Sequence, residues 1–121
     1  MKKVLNIIGT RPEAIKMAPI IRELGKRSDE IQSVTCLTGQ HTTLLSGMLD
    51  VFDIVPQYNI HLMEEKQTLP KIFAKLITKI DEVIDHEKPD WILAQGDTTS
   101  VVVAAMLAYY NKIKFGQVEA G

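Results

Sequence analysis

The sequence predicts an α/β fold, a Rossmann-like parallel sheet flanked by helices, and three observations predict it. Short apolar runs alternate along the chain with longer amphipathic stretches. The runs are apolar at successive positions, as strands covered on both faces are, and not at every second position. The junctions after them carry glycine and polar side chains. Strand–helix alternation of this kind builds βαβ units, whose strands run parallel.

The first run, Val4-Leu5-Asn6-Ile7-Ile8, reads as a strand buried on both faces. An amphipathic segment from Pro12 to Arg27 follows, with Pro12 suited to a first helical turn because its missing N–H needs no partner there. Pro19, inside the same segment, is expected to kink it. Ile31 to Leu37 reads as a second strand, Thr42 to Phe52 as a shorter helix, and Tyr58 to Leu62 as a weaker third strand. The clearest helix starts after Thr68, a suitable N-cap, with Pro70 in its first turn. Leu69, Ile72, Phe73, Leu76, Ile80, Val83 and Ile84 recur there at spacings of three and four, with charged residues opposite. Trp91-Ile92-Leu93-Ala94 is the next strand. Val101 to Tyr110, centred on Ala104-Ala105-Met106-Leu107-Ala108, reads as a helix buried nearly all round, and Lys114 to Glu119 as a last strand.

A chain of 121 residues with 45% hydrophobic content fits one domain with a real core. Its net charge of −1 offers neither a basic field for nucleic acid nor an acidic tail. Cys36 is the only cysteine, so no internal disulfide forms, and within Val34-Thr35-Cys36-Leu37 it reads as a buried strand residue. Lys2 and Lys3 precede an apolar stretch that ends at Ile8, too short for a signal-peptide core or a membrane span. No membrane is implied, and the cytoplasm is the default location.

In parallel sheets ligands sit beyond the carboxyl ends of the strands. Four segments fall there: Gly9-Thr10-Arg11, Thr38-Gly39-Gln40-His41, Gln95-Gly96-Asp97-Thr98-Thr99 and Glu119-Ala120-Gly121. Arg11 and Lys16 flank a helix start, where backbone N–H groups and the helix dipole favour an anion such as a diphosphate. A solvated arginine and an ordinary helix-surface lysine explain the same residues equally well. Gly9 fits a tight turn or close ligand approach. Neither G-x-G-x-x-G nor G-x-x-x-x-G-K-[ST] occurs, so neither a dinucleotide fingerprint nor a P-loop is present. Asp97 and Glu119 offer an acid/base pair on this rim, each such group worth about 10²–10⁴-fold in proton transfer. Asp97 also suits capping the helix that follows, and Glu119 also suits an exposed strand end. His41 borders a helix, while His61 and His86 have no partner spacing. No His/Asp/Glu cluster has metal-ligand spacing, so no metal is expected.

Taken together, these motifs resemble a known family. Gly9-Thr10-Arg11-Pro12-Glu13-Ala14-Ile15-Lys16-Met17-Ala18-Pro19 is similar to the N-terminal signature of the non-hydrolysing UDP-N-acetylglucosamine 2-epimerases. Thr38-Gly39-Gln40-His41, Gln67-Thr68-Leu69, Gly96-Asp97-Thr98-Thr99 and Val118-Glu119-Ala120-Gly121 follow in that family's order and at similar spacing. The resemblance implies a two-lobed, glycosyltransferase-B-like (GT-B-like) fold with substrate in the cleft between lobes. Residues 1–121 are then an N-terminal half-domain that stops before the second lobe, which carries most nucleotide contacts. It implies interconversion of UDP-GlcNAc and UDP-ManNAc with no added cofactor, by eliminating UDP to a 2-acetamidoglucal and adding it back. Asp97 and Glu119 become the acid/base candidates; Arg11, Lys16 and Gly9 become substrate contacts. The partners implied are UDP-N-acetylglucosamine, UDP, the second lobe and a second copy in a full-length homodimer.

Gln95 and Gln117 stand where relatives often carry histidine, a polar-for-polar exchange. Thr43, after Gln40-His41, and Lys66, before Gln67-Thr68-Leu69, stand where many bacterial members carry a longer amide or carboxylate and an arginine. That region binds an activating second UDP-GlcNAc in regulated members, so the resemblance implies weakened regulation through Gln40, Thr43 and Lys66. Two other readings stay open on sequence alone: a lobe of a hydrolysing epimerase or glycosyltransferase of the same architecture, and a non-catalytic sugar-nucleotide-binding module.

Overall fold

The structure, a computed structural model, describes residues 1–39, 43–60 and 68–119, with residues 43–46 described by backbone alone. The strands are β1 (Lys2–Ile8), β2 (Ile31–Leu37), β3 (Tyr58–Asn59), β4 (Trp91–Gln95) and β5 (Lys114–Val118). The helices are α1 (Arg11–Lys26), α2 (Thr43–Val51), α3 (Leu69–Glu87) and α4 (Thr99–Tyr110). The strands form one sheet in the order β3-β2-β1-β4-β5, every pair parallel.

β1 lies at the centre, which explains its uninterrupted apolar run. Leu5 and Ile7 face one layer of helices and Ile8 the other, so no position can be left to solvent. On one side Leu5, Ile7, Cys36 and Ile92 pack with Leu76 and Ile80 of α3 and Val103 and Leu107 of α4. On the other, Ile8 and Leu37 pack with Ala14 and Met17 of α1, Leu49 of α2 and Ile54. Each fully buried leucine or isoleucine contributes about 1.5–3 kcal/mol. Burial also pushes the Cys36 thiol up to about 12, which suits a core residue and not a nucleophile. β1 begins two residues before the apolar run, since the backbones of Lys2 and Lys3 pair with Ile31 and Gln32.

α3 starts as expected: Thr68 is the N-cap and its Oγ1 accepts the Lys71 N–H at 3.4 Å. It ends at Lys88, whose φ of 48° lies in the left-handed region and whose N–H returns to the Ile84 carbonyl. Leu76, Ile80, Val83 and Ile84 are buried, but Leu69 is 79% exposed because it precedes the stripe that meets the sheet. α1 continues through Pro19 to Lys26. In α4 the expected all-round burial holds only in part. Val101, Val103, Ala104, Leu107 and Ala108 are buried, whereas Val102, Tyr109 and Tyr110 are exposed. β3 is shorter than its sequence run, and positions 61 and 62 of that run lie outside the described residues.

From β1 the chain winds outward through β2 to β3, then returns to the other side of β1 for β4 and β5. The order therefore reverses between β1 and β4. Such a reversal leaves a crevice at the carboxyl ends of the two strands, where this class of sheet binds ligands.

Candidate functional site

Four strand ends build the rim, and the first is the best determined. Gly9 is buried after β1 because neighbours close on it from two other turns. A Cβ there would lie 2.9 Å from Ser100 Oγ and 3.2 Å from Thr38 Oγ1. Those two hydroxyls are themselves 2.8 Å apart and buried, joining the turn after β2 to the first turn of α4 across 62 residues of sequence. The Thr38 N–H continues the ladder to the Ile8 carbonyl at 2.9 Å.

Glu13, in the first turn of α1, is only 2% exposed. Its Oε1 accepts the Gly9 N–H at 3.1 Å and its Oε2 accepts the Thr10 hydroxyl at 2.7 Å. The positive end of α1, expected to attract an anion, therefore already holds a carboxylate of its own. Cationic character at this point comes from side chains. Arg11 and Lys16 are both exposed on α1. Arg11 makes no hydrogen bond or ion pair with a described residue, which leaves its guanidinium available to a ligand.

Lys16 meets Glu119. The Lys16 ammonium pairs with Glu119 Oε2, and Gln95 Nε2 donates to the same oxygen at 3.0 Å. The hydrogen bond from Lys16 is the main reason the Glu119 carboxyl lies below its ordinary 4.5, with Lys16's charge and Gln95 adding to it against partial desolvation. Glu119 is thus a carboxylate at neutral pH. Its φ of 56° lies in the left-handed region, uncommon for a residue with a side chain.

Between these ends lies the β4–α4 turn. Gly96 adopts a φ of 85°, its N–H reaches the Val118 carbonyl at 3.2 Å, and its carbonyl accepts Gln117 Nε2. Asp97 follows, exposed and without a hydrogen bond or ion pair to any described residue. It does not cap α4; Thr98 is the N-cap, with no side-chain cap hydrogen bond and with its Oγ1 buried and unpartnered. The structural role that competed for Asp97 is therefore filled by its neighbour's position.

The structure thus brings Lys16 and Glu119 into contact, packs Gly9 against Glu13, Thr38 and Ser100, and sets Arg11 and Asp97 on the same rim. Gln40, Lys66, His41 and His61 lie outside the described residues, and Thr43 opens α2 with its side chain not described. His86 meets Tyr58 edge-on at 6.3 Å, on α3 and away from the rim. Among the described residues no His, Cys, Asp and Glu group of three could hold a metal, and no helix is long and apolar enough to cross a membrane. Grooves of 450 Å³ beside Arg22 and Thr35 and of 420 Å³ beside Tyr58 and Lys79 lie apart from the rim. Glu13, Gln95 and the Thr38–Ser100 pair were not anticipated. Only Glu13 had a local signal, the Thr10-x-x-Glu13 spacing of a capping box.

Fold and rim together define a Rossmann-like α/β lobe, part of a GT-B-like fold, with basic and acidic side chains paired at the carboxyl edge of its sheet. The sequence pattern described as UDP-N-acetylglucosamine 2-epimerase matches residues 22–121. The UDP-N-acetylglucosamine 2-epimerase of Bacillus subtilis is 44% identical over 119 residues, which are 98% of this chain and 31% of that protein. The crystal structure of the Neisseria meningitidis UDP-GlcNAc 2-epimerase bound to UDP-GlcNAc is 44% identical, with a TM-score of 0.92 over 98% of this chain and 32% of that one. The Methanocaldococcus jannaschii enzyme, in complex with UDP-GlcNAc and UDP, is 35% identical with a TM-score of 0.88 over 98% and 33%. The chain belongs to the UDP-N-acetylglucosamine 2-epimerase family. It spans about a third of the length of these relatives.

Proposed function

We propose that this chain is the N-terminal lobe of an epimerase that interconverts UDP-GlcNAc and UDP-ManNAc. The observation that carries the reading is the Lys16–Glu119–Gln95 contact on the rim that also bears Asp97, in a member of this family. In the first half-reaction a carboxylate removes the C2 proton, the C1–O bond breaks, and its electron pair leaves with UDP as C1=C2 forms. The second half-reaction adds UDP back across that double bond, with the proton delivered to the opposite face of C2. Glu119 and Asp97 are the groups that hold and return protons. Arg11 and Lys16 pair with the diphosphate and stabilise its leaving charge, and Gly9 leaves room beside them.

The facing wall and most nucleotide contacts belong to a second lobe, so the 121-residue chain alone should bind weakly and not epimerise. By family resemblance the whole protein is a cytoplasmic homodimer. A short threonine at Thr43 and a non-forked lysine at Lys66, which with Gln40 form the candidate regulatory set, favour turnover with little dependence on UDP-GlcNAc as activator.

The test is incubation of the two-lobed protein with UDP-GlcNAc in deuterated water, followed by NMR. The expected result is UDP-ManNAc with deuterium at C2. Free ManNAc and UDP instead would establish a hydrolysing enzyme, and binding without C2 exchange would establish a non-catalytic module.

A further inference from the structure

The two glutamines at the rim are held in an arrangement that their surroundings determine closely. Gln95 is the last residue of β4, in register with Val118, the residue before Glu119. Its side chain is 6% exposed, so its amide is largely out of water and needs a partner. That partner is Glu119 Oε2, at 3.0 Å. One strand over, Gln117 donates to the Gly96 carbonyl while the Gly96 N–H returns to Val118 at 3.2 Å. The turn that carries Asp97 and the strand end that carries Glu119 are therefore tied in both directions.

Glu119 also has a left-handed backbone, a conformation that persists in a non-glycine residue only where the surroundings over-determine it. Two donors supply that constraint, and they differ in kind. The Lys16 side chain is 46% exposed, on a long flexible stem that a diphosphate can draw away. Gln95 is buried, short and neutral, and its donation does not change as protons come and go nearby. Both donors act on Oε2, and Oε1 has no described partner.

We propose that Gln95 is a positioning residue for Glu119, holding Oε2 so that Oε1 is the oxygen that exchanges a proton with the substrate. The proposal rests on the reading of Glu119 as an acid/base group. It adds which oxygen acts, and which side chain keeps it aimed when Lys16 turns to the leaving phosphate. Gln95 itself touches no reacting atom.

The clamp can be read without turnover, by carboxyl-carbon NMR titration of Glu119 in the 121-residue chain. Gln95→Leu removes the donor at similar bulk, and Gln95→Glu keeps the shape but adds a like charge. Glu119 should titrate at higher pH in both variants, further up in Gln95→Glu. Should Gln95→Leu not fold, Gln95→Glu alone decides. In the two-lobed protein Gln95→Leu should lower kcat about tenfold with KM nearly unchanged, because the loss falls on proton transfer and not on binding. An unmoved Glu119 titration, or an unchanged kcat, overturns the proposal. A wild-type protein that exchanges no C2 proton instead overturns the epimerase reading, and the titration distinguishes the two failures because it needs no substrate.

Discussion

A Cβ placed on Gly39 would lie 1.7 Å from the carbonyl oxygen of Gly9. The turns after β1 and β2 thus touch backbone to backbone, and the obstacle is a rigid peptide, not a side chain that can swing aside. Gly39 is required by proximity alone. The contact brings the first two rim segments together.

Gly39→Ala should therefore destabilise the fold by about 1–3 kcal/mol or more, the usual cost of forcing extra volume into a packed site. Gly25→Ala and Gly47→Ala provide the contrast, since nothing lies within 4 Å of either added Cβ and both positions are helical. Each should stabilise by about 0.5–1 kcal/mol. Urea unfolding midpoints of the three variants check the opposite signs.

Glu13→Ala removes the acceptor of the buried Gly9 N–H, an orphaning worth about 1–3 kcal/mol. Glu13→Gln should lose less, because the amide oxygen can still accept from Gly9 while the Thr10 hydroxyl turns to accept from its NH₂. Equal losses in thermal melts of the two variants would mean that the carboxylate charge at the helix start matters more than the hydrogen bonds.

Asp97→Asn and Glu119→Gln in the two-lobed protein should each lower kcat by about 10²–10⁴-fold with modest change in KM. The amides preserve size and hydrogen bonding but do not exchange protons as carboxyl groups do. Since Thr98 and not Asp97 holds the N-cap position of α4, and Asp97 makes no hydrogen bond to a described residue, the stability of Asp97→Asn should match the wild type. Near-normal turnover of Asp97→Asn would remove Asp97 from the reaction.

Far from the rim, Tyr58 donates its hydroxyl to Glu87, which also pairs with Lys3 at 3.1 Å. The bond to Glu87 is the main reason the Tyr58 hydroxyl is raised from 10.0 to about 12. The same bond is the leading cause that lowers Glu87 below its ordinary 4.5, with Lys3 assisting. A raised acid contributes stability that is whole below its unfolded value and lost as pH climbs through the folded one. A lowered carboxylate contributes stability that is whole above its unfolded value and lost as pH falls. The pair's contribution should therefore be level between about pH 4.5 and 10 and fade on either side, being largely lost as pH climbs through about 12. Denaturation of wild type and Tyr58→Phe across pH should show a constant gap of about 1 kcal/mol in that window, shrinking above about pH 10 and gone well above about 12. A gap that persists well above pH 12 would show that the hydroxyl is not the source.

Much of this architecture is legible in the sequence because it rests on local rules. β1 announces a central strand by having no polar side to show, and α3 announces its buried face through Leu76, Ile80, Val83 and Ile84. The rim follows once the strands are known to be parallel, which is why Arg11, Lys16, Asp97 and Glu119 could be placed on one edge. Their partners could not. Whether Lys16 meets Glu119, or Thr38 meets Ser100, depends on how strands far apart in sequence are ordered in the sheet, and no short pattern encodes that. Gln95 looked like a neutral polar exchange because its amide acquires meaning only beside the end of β5. Leu69 failed in the other direction: its spacing fits the apolar face, yet the helix has not reached the sheet at that point.

Lys16 and Glu119 stand 103 residues apart in the chain, one on α1 and the other just past β5. At synthesis rates of roughly 5–20 residues per second, the lysine waits about 5–20 s for the carboxylate to be made at all. Through that interval α1 can already rest on β1 and β2, with its ammonium facing water. The pair forms only after β4 has inserted beside β1 and β5 beside β4, so it follows the contacts that β1 and β2 make with α1. Pairing at this rim therefore depends on β5, and a nascent chain that has not yet made β5 carries the cation without the acid that balances it.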